Sequence, residues 1–213
     1  MNYPKQIAGI RIPDSEIAQK AMKIAYEYSD KPLFSHVMRT YVFGAFAANA
    51  RRWKFDEEAS FIASILHDLG ITDEFEKNDR FELVGADAAK NFLKDEHYPP
   101  EKIELIWDAI ALHTSAGIAM RKETEIAIVH IGAAMDVFGL GVGDLPKFIF
   151  DEIIEHLPRN DFKNYIVKKL INNVEKFPAT TNATWLSDVG RQHVHDYNCP
   201  CVTDAIKNSI FGE

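Results

Sequence analysis

Two adjacent residues at the end of an apolar helical stretch, His67 and Asp68, carry the strongest chemical signal in the sequence. Neighbouring residues of a helix point about 100° apart, so both side chains reach one ion only where the backbone turns at the helix end. The following Gly70 permits such a turn, and we expect it to end the helix in a left-handed conformation. Imidazole and carboxylate groups together suit a divalent transition metal and leave positions open for water and substrate. We therefore predict a metal site at this helix end.

Two further polar residues, His36 and Asp136, lie in otherwise apolar helical stretches. A buried imidazole or carboxylate without a partner is costly, so such residues are normally hydrogen-bonded or bound to a metal. For any single histidine a hydrogen-bonded core residue is the simpler interpretation, but the His67–Asp68 pair favours a shared site. The predicted metal ligands are His36, His67, Asp68 and Asp136, for one ion or two of Fe, Zn, Mn, Co or Ni.

The remaining histidines divide into a site candidate and residues without an expected role. His113 closes an apolar stretch and is followed by Thr114, so it is a candidate proton donor, substrate contact or ligand for a second ion. His130 precedes Asp136 by six residues, about 240° around the helix, and we interpret it as a core histidine. The others lie among charged or loop residues, where solvation is expected: His97, His156, His193 and His195.

The elements that must position these residues are helices, because apolar residues recur at steps of three and four almost everywhere. The fold class is all-α, and we predict a single-domain helical bundle over 1–213, with a metal-site core at about 32–140 and C-terminal helices with a wrapping tail at about 144–213. The first helix follows Asp14 or Ser15 as cap, and Asp56 caps the third. The second predicted helix is Pro32–Arg52, and the third follows Asp56 and ends on His67 and Asp68. The later ones are Phe81–Glu96, Pro100–Leu112, Glu123–Phe138, Leu145–Leu157, Asp161–Phe177 and Thr184–Val194.

Composition and charge restrict the partners that the protein is expected to have. The chain has 213 residues, 46% of them hydrophobic, and a formal net charge of −8, opposite in sign to that of nucleic-acid-binding surfaces. No signal-peptide pattern or membrane-length apolar run is visible, so we expect a cytoplasmic protein with a small-molecule substrate and neither nucleic acid nor membrane as partner. The sequence leaves homo-oligomerisation undecided, because apolar residues such as Phe148 and Ile154 fit either a partner helix or the core.

The ordered set of His36, His67–Asp68 and Asp136 resembles the signature of the HD superfamily of metal-dependent hydrolases, which is built on an all-helical scaffold. The resemblance runs from about His36 to Phe177. Neighbouring segments are similar to the cyanamide hydratase-like branch of that superfamily: Ser35–Arg39, His67–Gly70, Arg80–Glu82, Ala109–Thr114 and Gly117–Ala119.

The resemblance implies a metal-activated water as the nucleophile. It gives Asp68 a second role, orienting this water or taking its proton, with a ligand-only role as the alternative. It also makes Glu82 a candidate for orienting the substrate or bonding a ligating histidine, although an acidic residue in a first helical turn also suits the helix dipole. The predicted catalytic residues are therefore Asp68, His113 and Glu82.

The chain departs from HD relatives that act on nucleotides, because Leu69–Thr72 stand where the alarmone hydrolases carry an acidic pair. It also shows no cluster of arginine and lysine that would clamp a polyphosphate. We predict hydration or hydrolysis of a small molecule, with cyanamide to urea as the named example. The alternatives are a phosphomonoesterase or phosphodiesterase of the same superfamily and a non-enzymatic, ligand-sensing helical domain.

Overall fold

Helices dominate the computed structural model, which describes residues 4–199 and 201–211 and confirms the all-α prediction. A short antiparallel hairpin of β1 (Gln6–Ile7) and β2 (Ile10–Arg11) precedes them. Short 3-10 helices interrupt the connections at Leu69–Ile71, Ala119–Arg121, Val142–Asp144 and Pro178–Thr181. The α-helices are α1 (Glu16–Tyr28), α2 (Lys31–Ala50), α3 (Glu57–Leu66), α4 (Phe81–Asp95), α5 (Pro100–Ala111), α6 (Thr124–Phe138), α7 (Lys147–His156), α8 (Phe162–Lys176), α9 (Leu186–His193) and α10 (Val202–Lys207).

The predicted caps are confirmed. The Ser15 hydroxyl accepts from the Ala18 amide, and the Asp56 carboxylate accepts from the Ala59 amide at 3.0 Å. These side chains satisfy amides in the first turns of α1 and α3 that have no helical partner. At its other end, α3 stops at Leu66, and His67 follows as its C-cap.

The expected left-handed conformation of Gly70 is wrong, since the residue lies inside the 3-10 turn Leu69–Ile71 with no positive φ. Its lack of a side chain serves packing instead. A Cβ built on Gly70 would overlap the Phe81 carbonyl oxygen, and one on Gly85 would lie 3.2 Å from the His67 carbonyl oxygen. The two glycines let the start of α4 approach the backbone of the His67–Asp68 corner.

Helix α2 is buried along most of its length and packs chiefly against α6, with α3 on another side. Two glycines let α2 and α6 approach at backbone distance. A Cβ on Gly44 would overlap the Ile128 carbonyl oxygen, and one on Gly132 would overlap the Thr40 carbonyl oxygen. This close approach places His36 of α2 beside Asp136 of α6.

We expect Gly132→Ala to lower the free energy of unfolding by about 1–3 kcal/mol, because the added methyl forces α2 and α6 apart. Alanine favours a helix over glycine by roughly 0.5–1 kcal/mol, which reduces the loss without reversing it. Urea unfolding measures the difference. Gly143→Ala is the control, because nothing lies within 4 Å of a Cβ at Gly143. A Gly132→Ala variant as stable as this control would contradict the close approach.

Helix α8 packs over α2 and the 3-10 turn Leu69–Ile71, and α9 packs against α8. They form a second small core, in which Val174 and Leu186 contact Leu33, Ile71 and Phe81. The hairpin and α10 were not predicted, because two-residue strands and a six-residue helix are too short to show a period. None of the helices in the described part of the chain has the length and apolar character that a bilayer crossing requires.

Candidate metal centre

Helix α2 and the end of α3 bring three of the four predicted ligands together. One potential ligand atom from each of His36, His67 and Asp68 lies within 4.8 Å of the others, and all three side chains are buried. The Asp68 Oδ2 atom lies 3.4 Å from His36 Nε2 and 3.3 Å from His67 Nε2. The structure thus places these three predicted ligands together, and their role in binding a metal stays a prediction.

Hydrogen bonds fix which nitrogen of each ring faces the group. His67 Nδ1 donates to the Ser64 carbonyl oxygen at 2.8 Å, and His36 Nδ1 donates to Asp136 Oδ2 at 2.7 Å. Because carbonyl and carboxylate oxygens only accept here, both Nδ1 atoms carry the proton and both neutral rings present an Nε2 lone pair. His67 Nε2 is buried and has no hydrogen-bond partner.

This arrangement fits a divalent metal. Two imidazole lone pairs face a carboxylate at 3.3–3.4 Å, which is unfavourable unless a cation or a proton lies between them. Burial disfavours charge at both residues, but hydrogen bonds to Asp136 and Asp68 raise the pKa of His36, and the neighbouring His67 and His36 hold the pKa of Asp68 well below its usual range. The orphaned His67 Nε2 is the atom that a metal would satisfy.

His113 lies at the edge of the same group. Its Nδ1 donates to the Ile110 carbonyl oxygen at 2.6 Å, which directs Nε2 toward Asp68 Oδ1 at 3.7 Å. Burial, reinforced by the neighbouring His67, lowers the pKa of His113 to about 4. A neutral His113 therefore presents a further lone pair to the site.

Asp136 occupies a different position from the other predicted ligands. Its Oδ1 accepts from Arg39 Nε and Arg159 Nη1, both at 2.7 Å. Its Oδ2 accepts from His36 Nδ1 at 2.7 Å and from Arg39 Nη2 at 2.8 Å. These donors outweigh burial and hold the pKa of Asp136 well below its usual range.

Four donors use the roughly four lone-pair positions that a carboxylate offers. In this structure Asp136 therefore joins the group through His36, whose ring it orients, and direct ligation by Asp136 stays a prediction. Phe162 reinforces the position of His36, because the two rings are stacked with centroids 4.5 Å apart. Neither Arg39 nor Arg159 was singled out from the sequence as a partner of this group.

Glu82 is buried in the first turn of α4 and makes its hydrogen bonds away from the histidines. Its Oε1 accepts from the Thr114 hydroxyl at 2.7 Å and from Arg80 at 3.2 Å, and Trp185 Nε1 lies 3.4 Å away. Burial opposes ionisation, but the hydrogen bonds from Thr114 and Arg80 lower its pKa. Glu82 thus fixes Thr114 and Trp185, while the predicted bond to a ligating histidine is not formed.

Comparison with known protein families agrees with this geometry. Residues 33–138 match the HD domain family. This segment is an HD domain. HD domains are generally metal-dependent hydrolases, so the match supports an enzymatic role for the protein. A search of curated proteins finds no match to the chain.

A cavity of about 540 Å³ opens onto the metal group of the HD domain. Its walls combine residues of the domain with residues that follow it in the chain. The sequence interpretation missed His130, Trp185 and His193 here, and His130 is half-buried at the cavity wall instead of lying wholly in the core. The lining residues are His36, His67, Asp68, Ile71, Phe81, His113, Thr114, Ala116, His130, Ala133, Ala134, Val137, Phe138, Leu140, Ile166, Val167, Leu170, Trp185, Val189, Gln192 and His193.

Proposed function

We propose that the protein is a metal-dependent hydrolase or hydratase that adds water to an uncharged small molecule at a nitrile-like or carbonyl carbon. The observation that carries the proposal is the buried His36–His67–Asp68 group, with its orphaned His67 Nε2, at one end of a cavity large enough for a substrate. Conversion of cyanamide to urea is the simplest reaction of this class.

The side chains divide the work of this reaction by position. His36 and His67 would hold the ion together with Asp68, and a bound divalent ion supplies Lewis acidity and lowers the pKa of water toward neutrality. The second oxygen of Asp68 would accept a proton from the attacking water and pass it to the Nε2 lone pair of His113, 3.7 Å away, from which it would reach the substrate nitrogen. For cyanamide, the water oxygen bonds to carbon and both water protons end on nitrogen, which gives urea.

The charge of the cavity supports an uncharged substrate over a phosphate ester. Among the described residues, no lysine or arginine lines the cavity. The two arginines nearest the group, Arg39 and Arg159, are engaged with Asp136. A phosphoryl group would therefore depend on the metal alone for its charge compensation, whereas phosphate sites generally add arginine or lysine.

We expect metal-loaded protein to form urea from cyanamide and to release no phosphate from p-nitrophenyl phosphate. The protein is loaded in turn with Fe(II), Mn, Zn, Co and Ni, and both products are quantified. His113→Gln should lower kcat about 10²–10⁴-fold, because it removes a positioned proton-transfer group.

His156→Gln is the matched control, since His156 is exposed and lies outside the cavity. Phosphate release without urea formation would favour the phosphoesterase alternative. Stoichiometric metal without turnover of either substrate would favour the ligand-sensing alternative.

A further inference from the structure

We infer that the substrate is an elongated molecule with an uncharged hydrolysable head and an apolar body several carbon atoms long. This inference rests on the proposed function for the head, which meets the metal group. The apolar body is inferred independently, from the walls and mouth of the cavity.

The walls beyond the metal group are apolar on two sides. Helix α8 contributes Ile166, Val167 and Leu170, and α9 contributes Val189. Val137 closes the opposite side from the end of α6. A continuous apolar wall stabilises a ligand in proportion to the apolar area it removes from water.

The apolar surface continues out of the cavity to its mouth. Phe138 and Leu140 are 71% and 61% exposed, and Val167 is 46% exposed, yet all three line the cavity. Large apolar residues grouped around the opening of a pocket mark a binding site for an apolar ligand. Because they lead inward to a buried catalytic group, the occupant is a substrate that enters lengthwise.

Polar groups in the outer cavity are few, and none of those that the structure describes is a carboxylate, a lysine or an arginine. Gln192 and the Trp185 ring lie among the apolar residues, and His193 is exposed at the rim. Within the described residues the cavity offers one carboxylate, Asp68, which is part of the metal group. The outer cavity therefore provides no counter-charge for an ionic body.

Cyanamide is too small to fill the cavity. Sites for organic ligands generally enclose about 300–1,000 Å³, and the cavity of about 540 Å³ lies inside that range. Four of its apolar lining residues, Ile166, Val167, Leu170 and Val189, lie on α8 and α9, outside the matched HD segment 33–138. The metal group of the HD segment is thus combined with apolar residues that come from outside that segment.

The test measures binding without turnover. Straight-chain primary amides from propanamide to octanamide are titrated into metal-loaded protein by calorimetry. The dissociation constant should fall about three- to fourfold for each added methylene until the cavity is filled. Amides of equal length with an ether-containing chain should bind more weakly, because each ether oxygen loses its hydration against an apolar wall.

Val167→Asp should flatten this dependence on chain length, and Leu140→Asn provides a second variant should the first not fold. Ile206→Asp is the control, because Ile206 is equally apolar and 67% exposed but lies on α10, outside the cavity. Equal affinity for short and long amides in wild type, or the same flattening in Ile206→Asp, would overturn the inference.

The results also separate the inference from the proposed function. Chain-length-dependent binding without turnover of any amide, nitrile or cyanamide would leave the apolar site standing and contradict the hydrolase. Urea formation from cyanamide with no chain-length dependence of amide binding would support the hydrolase and contradict the apolar site.

Discussion

Wild-type protein loaded with a transition metal and desalted is expected to retain about one equivalent, and the His67→Ala, Asp68→Ala double variant less than about a tenth of that. The double variant removes two of the three side chains that converge at one point. His36 alone cannot retain the ion, because a single imidazole competes poorly with water. Elemental analysis of both proteins measures the difference.

The same ion should stabilise the fold of wild type only. A ligand that binds the native state at 100 times its dissociation constant raises the free energy of unfolding by about 2.7 kcal/mol. Thermal unfolding with and without added metal should therefore show a shift in wild type and none in the double variant. Because the shift is measured within each protein, any loss of stability caused by the substitutions themselves does not affect it.

His193→Ala is the matched control for this experiment, since His193 lines the cavity but lies outside the three-residue group. It should retain metal at the wild-type level. A wild-type protein that binds none of Fe(II), Mn, Zn, Co and Ni would contradict the metal centre. Loss of metal in His193→Ala would place the ion further out in the cavity.

Much of the scaffold is predictable because its determinants are local. The apolar period of 3.6 residues identified nine of the helices, and the caps Ser15 and Asp56 are confirmed. Gly70 shows where local reasoning fails. A glycine after a helix is commonly left-handed, but here its role is set by Phe81, which no local pattern links to it.

The metal group was also accessible from the sequence, because a histidine or carboxylate in an apolar helix requires a partner. The hydrogen-bond partners of these residues could not be predicted from it. Asp136 meets Arg39, 97 residues away, and Arg159, 23 residues away in a loop. Charge and spacing cannot select these two arginines from others in the chain, since the packing of α2 against α6 brings Arg39 to Asp136 and the loop between α7 and α8 brings Arg159.

The cavity wall was the least predictable part. Val167 and Val189 lie on amphipathic helices, where apolar residues ordinarily face a core. That some of them face an open cavity depends on how α8 and α9 sit over the HD domain. The sequence suggested only that the C-terminal segment wraps the bundle.

We expect Asp136→Asn to lower the free energy of unfolding of the metal-free protein by about 3–5 kcal/mol. Arg39 is fully buried, and Asp136 is its only carboxylate partner among the described residues. The neutral amide removes this counter-charge. Its NH₂ group also meets N–H donors of Arg39, Arg159 or His36, which leaves at least one buried donor unsatisfied. Urea unfolding should show a lower midpoint at an unchanged slope.

Asp188→Asn is the matched control, because Asp188 forms an exposed ion pair with Arg191 at 3.2 Å. Exposed pairs contribute about 0–1 kcal/mol, so this variant should unfold close to wild type. The metal-free condition separates two roles for Asp136. If Asp136→Asn costs less than about 1 kcal/mol without metal yet abolishes metal retention, Asp136 acts mainly as a ligand, as the HD signature predicts. A large loss without metal instead identifies Asp136 as the residue that joins two arginines to His36 and holds its Nε2 toward the ion.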